Sequence, residues 1–215
     1  MELQKLQIEA ITELVKECEK RNILFWLYGG WGLDALLHRI TRKHRDIDLV
    51  VLQEHKESFE SLLRTLQYTL DKTEFFGSAT RGEVIIEIAA IAGSDIAEPY
   101  IDFGRGFVIP LPSNSFEGRY NGKVGECRCH VVSWDFLYVN KLRHKWVKPD
   151  EQEPRGKDLF DLRHICSHLP EERRRMAEKR SEPVPSAEYY SRLKTISPLS
   201  EKKKPAAQHD KRAQV

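Results

Sequence analysis

Tyr28-Gly29-Gly30-Trp31-Gly32-Leu33-Asp34, followed after a short link by Arg42-Lys43-His44-Arg45-Asp46-Ile47-Asp48-Leu49-Val50-Val51, is the stretch on which the fold turns. Just before the glycines, Ile23-Leu24-Phe25-Trp26-Leu27-Tyr28 is an apolar and aromatic run too short for a helix of its own, which predicts a buried strand over residues 23–28. Gly29-Gly30 breaks it, a short helix follows through residues 34–37, and the basic residues 39–45 lead into a second strand over 46–52. Side chains alternate faces along a strand, so Asp46 and Asp48 project from one side with Cα atoms about 6.5–7 Å apart. Two carboxylates on one edge of a buried strand repel each other and lose hydration. Their natural compensation is a divalent cation, and Mg²⁺ favours such carboxylates together with substrate phosphates.

Most Asp-x-Asp triplets have a plainer explanation: the first acid begins a strand and the second faces water. Here a glycine pair upstream and a third acid downstream outweigh it. Glu87 lies within Val84-Ile85-Ile86-Glu87-Ile88-Ala89-Ala90-Ile91, where a charge is expensive unless something positive compensates it. If that strand lies beside residues 46–52, the three acids converge on a cation pair of the kind that clamps attacking and leaving oxygens. The plain alternative is an edge-strand Glu turned to solvent, and Glu83 on the same strand face is the substitute candidate. Gly29 and Gly30 let the backbone approach a ligand closely, and their amides, at the start of a helix, can cradle phosphate.

The Gly29-Gly30-Trp31 turn, Asp34, the Arg42-Lys43-His44 lead-in and Asp46-Ile47-Asp48 closely resemble the signature of the small antibiotic nucleotidyltransferases. These are the aminoglycoside and lincosamide adenylyltransferases of the polymerase-β-like superfamily. The likeness is specific over about residues 20–52 and thins to scattered positions afterwards. It implies an α/β (α+β) core in which a mixed sheet presents two Asp and a third acid to two Mg²⁺ ions and a nucleoside triphosphate, ATP by preference. The nucleotidyl group passes to a hydroxyl and pyrophosphate leaves. Glu87 falls where the third carboxylate is expected, although many members carry the shorter Asp there. Trp31 stands where the wider superfamily often has Ser, as in the antibiotic-modifying subgroup.

A second, looser likeness joins Leu137-Tyr138-Val139-Asn140-Lys141-Leu142-Arg143 and Arg155-Gly156-Lys157-Asp158-Leu159-Phe160-Asp161-Leu162 to the lysine helix and Lys-Asp motif of nucleotidyltransferases of the abortive-infection and toxin type. By that likeness Lys141 reaches the triphosphate and Asp158 orients it or another group of the site. The plain alternative is a solvated lysine on an amphipathic helix and an aspartate favoured by a helix N-terminus. Where the aminoglycoside enzymes place a carboxylate that deprotonates the acceptor, this chain has Asn140, which accepts no proton.

Around this centre, residues 3–18 carry an amphipathic helix stripe and Phe59, Leu62, Leu63 and Leu66 mark another. Strand-like runs recur at residues 68–70, 75–80, 84–92 and 107–111. Asn121-Gly122 suits a hairpin turn before a strand over 127–132, Ser133 caps a helix over 134–146, and a last helix runs from Gly156 with Leu159, Leu162, Ile165 and Leu169 on its apolar face. Three regions result: a catalytic core over 1–132, a helical portion over 133–180 packed on it, and a loose basic tail over 181–215, where Tyr189, Tyr190 and Leu193 offer a short docking helix.

The 215 residues, 40% hydrophobic and 32% charged, exclude a fibrous or membrane-embedded protein. The amino terminus goes straight into the amphipathic pattern instead of an export signal, so the expected compartment is the cytoplasm. Residues 171–215 hold 12 Lys+Arg against 7 Asp+Glu, leaving a mildly acidic 23 against 26 in the first 170, which argues against a dedicated nucleic-acid binder. Four cysteines without CxxC spacing read as reduced thiols, with Cys127 and Cys129 one out and one in on a strand. His164 and His168 stand one helical turn apart without the Glu of a metalloprotease motif. The preferred reading is an Mg²⁺-dependent nucleotidyltransferase acting on a hydroxylated small molecule such as an aminoglycoside or lincosamide. The alternatives are a toxin-like enzyme acting on RNA or protein, recruited through the tail, and a non-catalytic nucleotide-binding module.

Overall fold

The apolar stripe near the amino terminus becomes helix α1 (Glu2–Lys20), which buries Ala10, Ile11, Leu14, Val15 and Cys18 and leaves Leu6 at the surface. The structure, a computed structural model, describes residues 2–72, 76–91, 99–102, 106–118, 121–142, 156–189 and 191. Strand β1 (Phe25–Tyr28) stops at Gly29, whose φ of +61° turns the chain directly into α2 (Gly29–Leu37). The glycine pair therefore opens a helix instead of only ending a strand. His38, left-handed at φ 53°, closes it by donating its N–H back to Ala35.

Strand β2 (Ile47–Leu52), helix α3 (Lys56–Thr65) and strands β3 (Thr69–Lys72), β4 (Phe76–Arg81) and β5 (Val84–Ile91) complete a five-stranded sheet in the order β1-β2-β5-β4-β3. Only β2 and β5 are parallel, so the sheet is mixed, as expected. Alternation sorts its two faces. Leu27, Leu49, Val51, Ile86 and Ile88 join α1 and α3 in one core, with Phe59, Leu62 and Leu63 from α3. Trp26, Tyr28, Val50, Leu52, Ala89 and Ile91 face the other way and meet α4 (Trp134–Leu142), α5 (Gly156–His168) and α6 (Glu171–Arg180) in a second core. Each fully buried Leu, Ile or Phe contributes about 1.5–3 kcal/mol, so both faces are committed by burial. The cap at Ser133 forms as predicted: its Oγ accepts the Phe136 N–H at 3.2 Å. The continuation of that helix over 143–146 lies outside the described residues, as does Arg155.

Two smaller sheets flank this layer. In the hairpin of β8 (Gly122–Val124) and β9 (Cys127–Cys129), the turn is at Gly125-Glu126, with Gly125 at φ +57°, and not at Asn121-Gly122. The side chain of Asn121 is spent elsewhere: its amide bonds the Val131 carbonyl at 3.0 Å and its oxygen takes the Val131 N–H at 2.8 Å. Strands β6 (Tyr100–Asp102) and β7 (Phe107–Pro110) pair with each other, and β10 (Val184–Pro185) adds to β7.

That last strand lies in the stretch composition assigned to a loose tail. It is tied down because it covers an open sheet edge and brings its own apolar groups. Ser186 N–H bonds Gly106, Arg180 Nε bonds the Leu111 carbonyl, and Tyr189, 3% exposed, sits edge-on to Tyr100. Tyr190 and residues 192–215 lie outside the described residues. Among the described residues no helix is long and apolar enough to cross a membrane.

Candidate active site

Parallel pairing sets Asp48 of β2 directly against Glu87 of β5, with Tyr28 opposite Asp48 and Ser78 opposite Glu87 on the outer neighbours. Paired residues share a face and neighbouring strands lie about 4.8 Å apart, so Tyr28, Asp48, Glu87 and Ser78 form one row across the sheet. Asp46 comes one residue before β2 begins, in the bend that leads into it. Glu83 is exposed outside β5, in the turn after β4. Register thus places Glu87, and not Glu83, beside the Asp pair.

Asp48 and Glu87 share a face and Asp46 lies just before it, but among the described residues no three His, Cys, Asp or Glu side chains form a metal-holding group. Asp46 is turned to Arg45, which donates from Nε at 2.9 Å and Nη2 at 2.7 Å while staying 75% exposed. That hydrogen bond first, then the negative charge of Asp46, Glu87 and Asp48, pushes the Arg45 guanidinium upward from its ordinary pKa. The donor set fits Mg²⁺, which takes hard oxygen ligands from one or two carboxylates and leaves its remaining positions to phosphates and water, without an all-protein cage. The backbone makes room for the same purpose. A Cβ on Gly29 would stand 2.6 Å from Asp48 Cγ and closer still to its Oδ2, so only glycine lets this carboxylate lie against the turn.

Behind the second glycine runs a chain of buried polar contacts. A Cβ on Gly30 would stand 2.6 Å from His44 Cε1 and 2.8 Å from Arg42 Nη2, so both side chains lean on the turn's backbone. Thr41 donates its hydroxyl to Asp34 Oδ1 at 2.5 Å, and His44 Nε2 meets Asp34 Oδ2 at 2.5 Å. Arg42 Nη1 lies 3.0 Å from His44 Nδ1; arginine only donates, so that nitrogen accepts and the ring proton sits on Nε2, facing Asp34. Arg42 then grips Asp161 of α5 in a fork, Nε to Oδ1 at 2.9 Å and Nη2 to Oδ2 at 2.7 Å. Lys141 of α4, 8% exposed, reaches the same carboxylate at 2.6 Å and Asp158 at 3.1 Å.

Burial, the largest single influence on Asp161, works upward on its pKa. The Arg42 hydrogen bonds together with the charge and hydrogen bond of Lys141 outweigh it and hold the carboxyl below the usual range. Arg42 moves upward in turn, chiefly through its bond to Asp161.

Of the residues the sequence singled out, Asp48 and Glu87 share one sheet face with Asp46 just before β2, Gly29 and Gly30 open α2 beside Asp48, and Arg42, Lys141 and Asp158 meet in the network behind the turn. Lys141 is not the solvated lysine of an amphipathic helix. Asp161 and His44 went unassigned. Asp158-x-x-Asp161 is the signal for the first: two acids one helical turn apart share a face, and here that face is inward, with Leu159 and Phe160 exposed instead. The apolar face expected of this helix is correspondingly reduced to Leu162, Ile165 and Leu169.

Elsewhere the ordinary readings hold. Cys127 is partly exposed and Cys129 buried, all four cysteines are free, and burial pushes the Cys18 and Cys129 thiols up to about 12. His168 stacks on Trp134 at 4.6 Å and bonds the His164 carbonyl, while Trp26 and Trp31 are buried in the two cores.

The class that this fold and this site define is the nucleotidyltransferases. Two solved structures share the architecture: ANT(2'')-Ia in complex with adenylyl-2''-tobramycin, at a TM-score of 0.67 and 22% identity over 87% of this chain and 99% of that one, and the lincomycin-bound lincosamide adenylyltransferase LnuA, at 0.59 and 17% over 74% and 96%. A 2''-aminoglycoside nucleotidyltransferase of Escherichia coli is 26% identical over 134 residues, covering 61% of this chain and 73% of the relative. A lincosamide resistance protein of Staphylococcus haemolyticus is 34% identical over 53 residues, or 25% of this chain and 33% of that one. The chain belongs to the aminoglycoside-2''-adenylyltransferase family, whose sequence pattern spans residues 10–162, and is an enzyme of the nucleotidyltransferase class.

Proposed function

We propose that the enzyme moves AMP from ATP to a hydroxyl of an aminoglycoside, or failing that a lincosamide, and releases pyrophosphate in the cytoplasm. The observation that carries this reading is the register of β2 and β5, which sets Asp48 against Glu87 beside the turn at Gly29. Asp46 and Asp48 hold two Mg²⁺ ions and Glu87 completes the set. Bound there, Mg²⁺ supplies charge neutralisation for the triphosphate and for the departing pyrophosphate. The Gly29 and Gly30 amides and the positive end of α2 hold phosphate oxygens, with the positive charge of Arg42 and Lys141 behind them. Asp158 orients Lys141.

With Asn140 unable to act as a base, Glu87 is the carboxylate that takes the acceptor's proton. The acceptor oxygen then bonds the α-phosphorus as the bond to the β-phosphate oxygen breaks. An acceptor bearing amines is drawn to the acidic first 170 residues. A toxin-like reaction on RNA or protein is the second reading, favoured by the 3.1 Å contact of Lys141 with Asp158.

The test incubates the purified protein with each labelled nucleoside triphosphate, Mg²⁺ and a panel of aminoglycosides, lincosamides, tRNA and proteins, with products identified by mass. Adenylylated antibiotic is expected, and Asp46→Asn or Asp48→Asn should abolish it while the protein still melts cooperatively. Transfer to tRNA or protein alone would replace the antibiotic reading by the second one. Full activity in either variant would overturn the metal assignment.

A further inference from the structure

The buried network contains more than cations waiting for phosphate. Four of the N–H groups of Arg42 already have acceptors in Asp161, His44 and the Lys43 carbonyl, and its Nη2 lies against Gly30. Its guanidinium, on a side chain 21% exposed, is thus fixed in plane and direction from behind the turn. Lys141 is a flexible point charge whose direction must come from its acceptors. Both cations end on one carboxylate, the Asp161 side chain, which is wholly buried and lies 119 residues from Arg42 along the chain. A buried and a half-buried cation this close repel unless an anion lies between them.

We propose that Asp161 is the positioning residue for the triphosphate end of the site: it braces Arg42 against the Gly29-Gly30 turn and sets Lys141 beside it, so that α5 is a working part of the centre. The proposal rests on the nucleotidyl-transfer reading given above. Asp161 does not touch substrate. It acts through Arg42, and the lowered pKa of its carboxyl keeps the brace charged across the neutral range.

The test compares Asp161→Asn, which keeps shape and one accepting oxygen but loses the charge, with Ile165→Val, which thins the buried packing of the same helix. In the folded Asp161→Asn protein kcat/KM for Mg·ATP should fall about 10²-fold, the scale of an ångström-sized misplacement, with the acceptor KM unchanged. Ile165→Val should lower the melting temperature and leave both constants alone. An Asp161→Asn protein that is folded and keeps its kcat/KM for ATP overturns the proposal, as does a fall in its KM for ATP, which would make Asp161 a competitor of phosphate. If Asp161→Asn does not fold, hydrogen exchange on the wild type decides: Mg·ATP should slow exchange in residues 156–168 together with residues 29–33. Slowing at 29–33 alone overturns the brace but leaves nucleotide binding standing. A wild type that shows no change at either place and no turnover sinks the underlying reading instead.

Discussion

Gly29→Ala separates geometry from stability at the catalytic sheet. The new Cβ would stand 2.6 Å from Asp48 Cγ, closer still to Oδ2, and well inside the 3.0 Å below which such contacts essentially never occur. The carboxylate ends a flexible side chain, so it can swing away by about 1 Å without unpacking the sheet. What the fold loses is the cost of a left-handed alanine at φ +61°, about 1–2 kcal/mol, or about 2–8 °C of melting temperature for a chain of this size. What catalysis loses is larger. A metal-binding carboxylate displaced by about 1 Å costs about 10²-fold in turnover, near 2.7 kcal/mol at 1.36 kcal/mol per decade.

Gly82 supplies the internal control. Its φ is +57° and nothing lies within 4 Å of a Cβ placed there. Gly82→Ala should therefore show a similar fall in melting temperature by circular dichroism and unchanged steady-state transfer. If Gly29→Ala turns over as fast as Gly82→Ala, the position of Asp48 does not matter to the reaction and Asp48 is not a metal-holding group of this site.

Glu87→Gln should lose at least about 10²-fold in turnover, the lower end for a positioned acid-base group, whereas the exposed Glu83→Gln should be nearly silent in the same assay; the reverse pattern would move the third acid to Glu83. Tyr189→Ala removes a ring packed against Tyr100 and should cost about 3 kcal/mol in urea melts, and truncation after Glu182, which also removes β10, should cost no less; an unchanged midpoint would mean this segment is not docked in solution. Acid stability should respond to Asp161. With its folded pKa below the ordinary 3.8, the unfolded chain takes up a proton at higher pH than the fold does. The stability contributed by its pairs is then complete above that ordinary value and is lost as pH falls through the folded one. Urea melts between about pH 3 and 7 should show a flatter acid limb in Asp161→Asn, and an identical limb would remove Asp161 from the ionised network.

Residues 23–52 held most of the architecture in local form. A continuous apolar run, a glycine pair and an alternating Asp-x-Asp strand are each set by neighbours in sequence, through periodicity and through the backbone that only glycine allows, and the structure has a strand, a helix start and a second strand there. The buried apolar pattern of 84–91 likewise revealed its strand, and Ser133 its cap. The hairpin turn was misleading because Asn121 is used by Val131, a partner that no local turn pattern contains, whereas the docking helix offered at Tyr189 does form over residues 186–189, and only the fold supplied its partner Tyr100.

The candidate site divides along the same line. Alternation predicted one side for Asp46 and Asp48, but Asp46 falls in the bend before β2, so the strand itself orients only Asp48. Which acid faces them depended on the register of two parallel strands separated by a helix and a hairpin, and a slip of one residue would have turned Glu87 to the other face. The inward turn of α5 was decided further still from local chemistry. Taken by itself, Gly156–His168 should bury Leu159 and expose Asp158 and Asp161. The fold does the opposite because Arg42 and Lys141 arrive from the loop before β2 and from α4, and a charge leaves water only where opposite charges meet it.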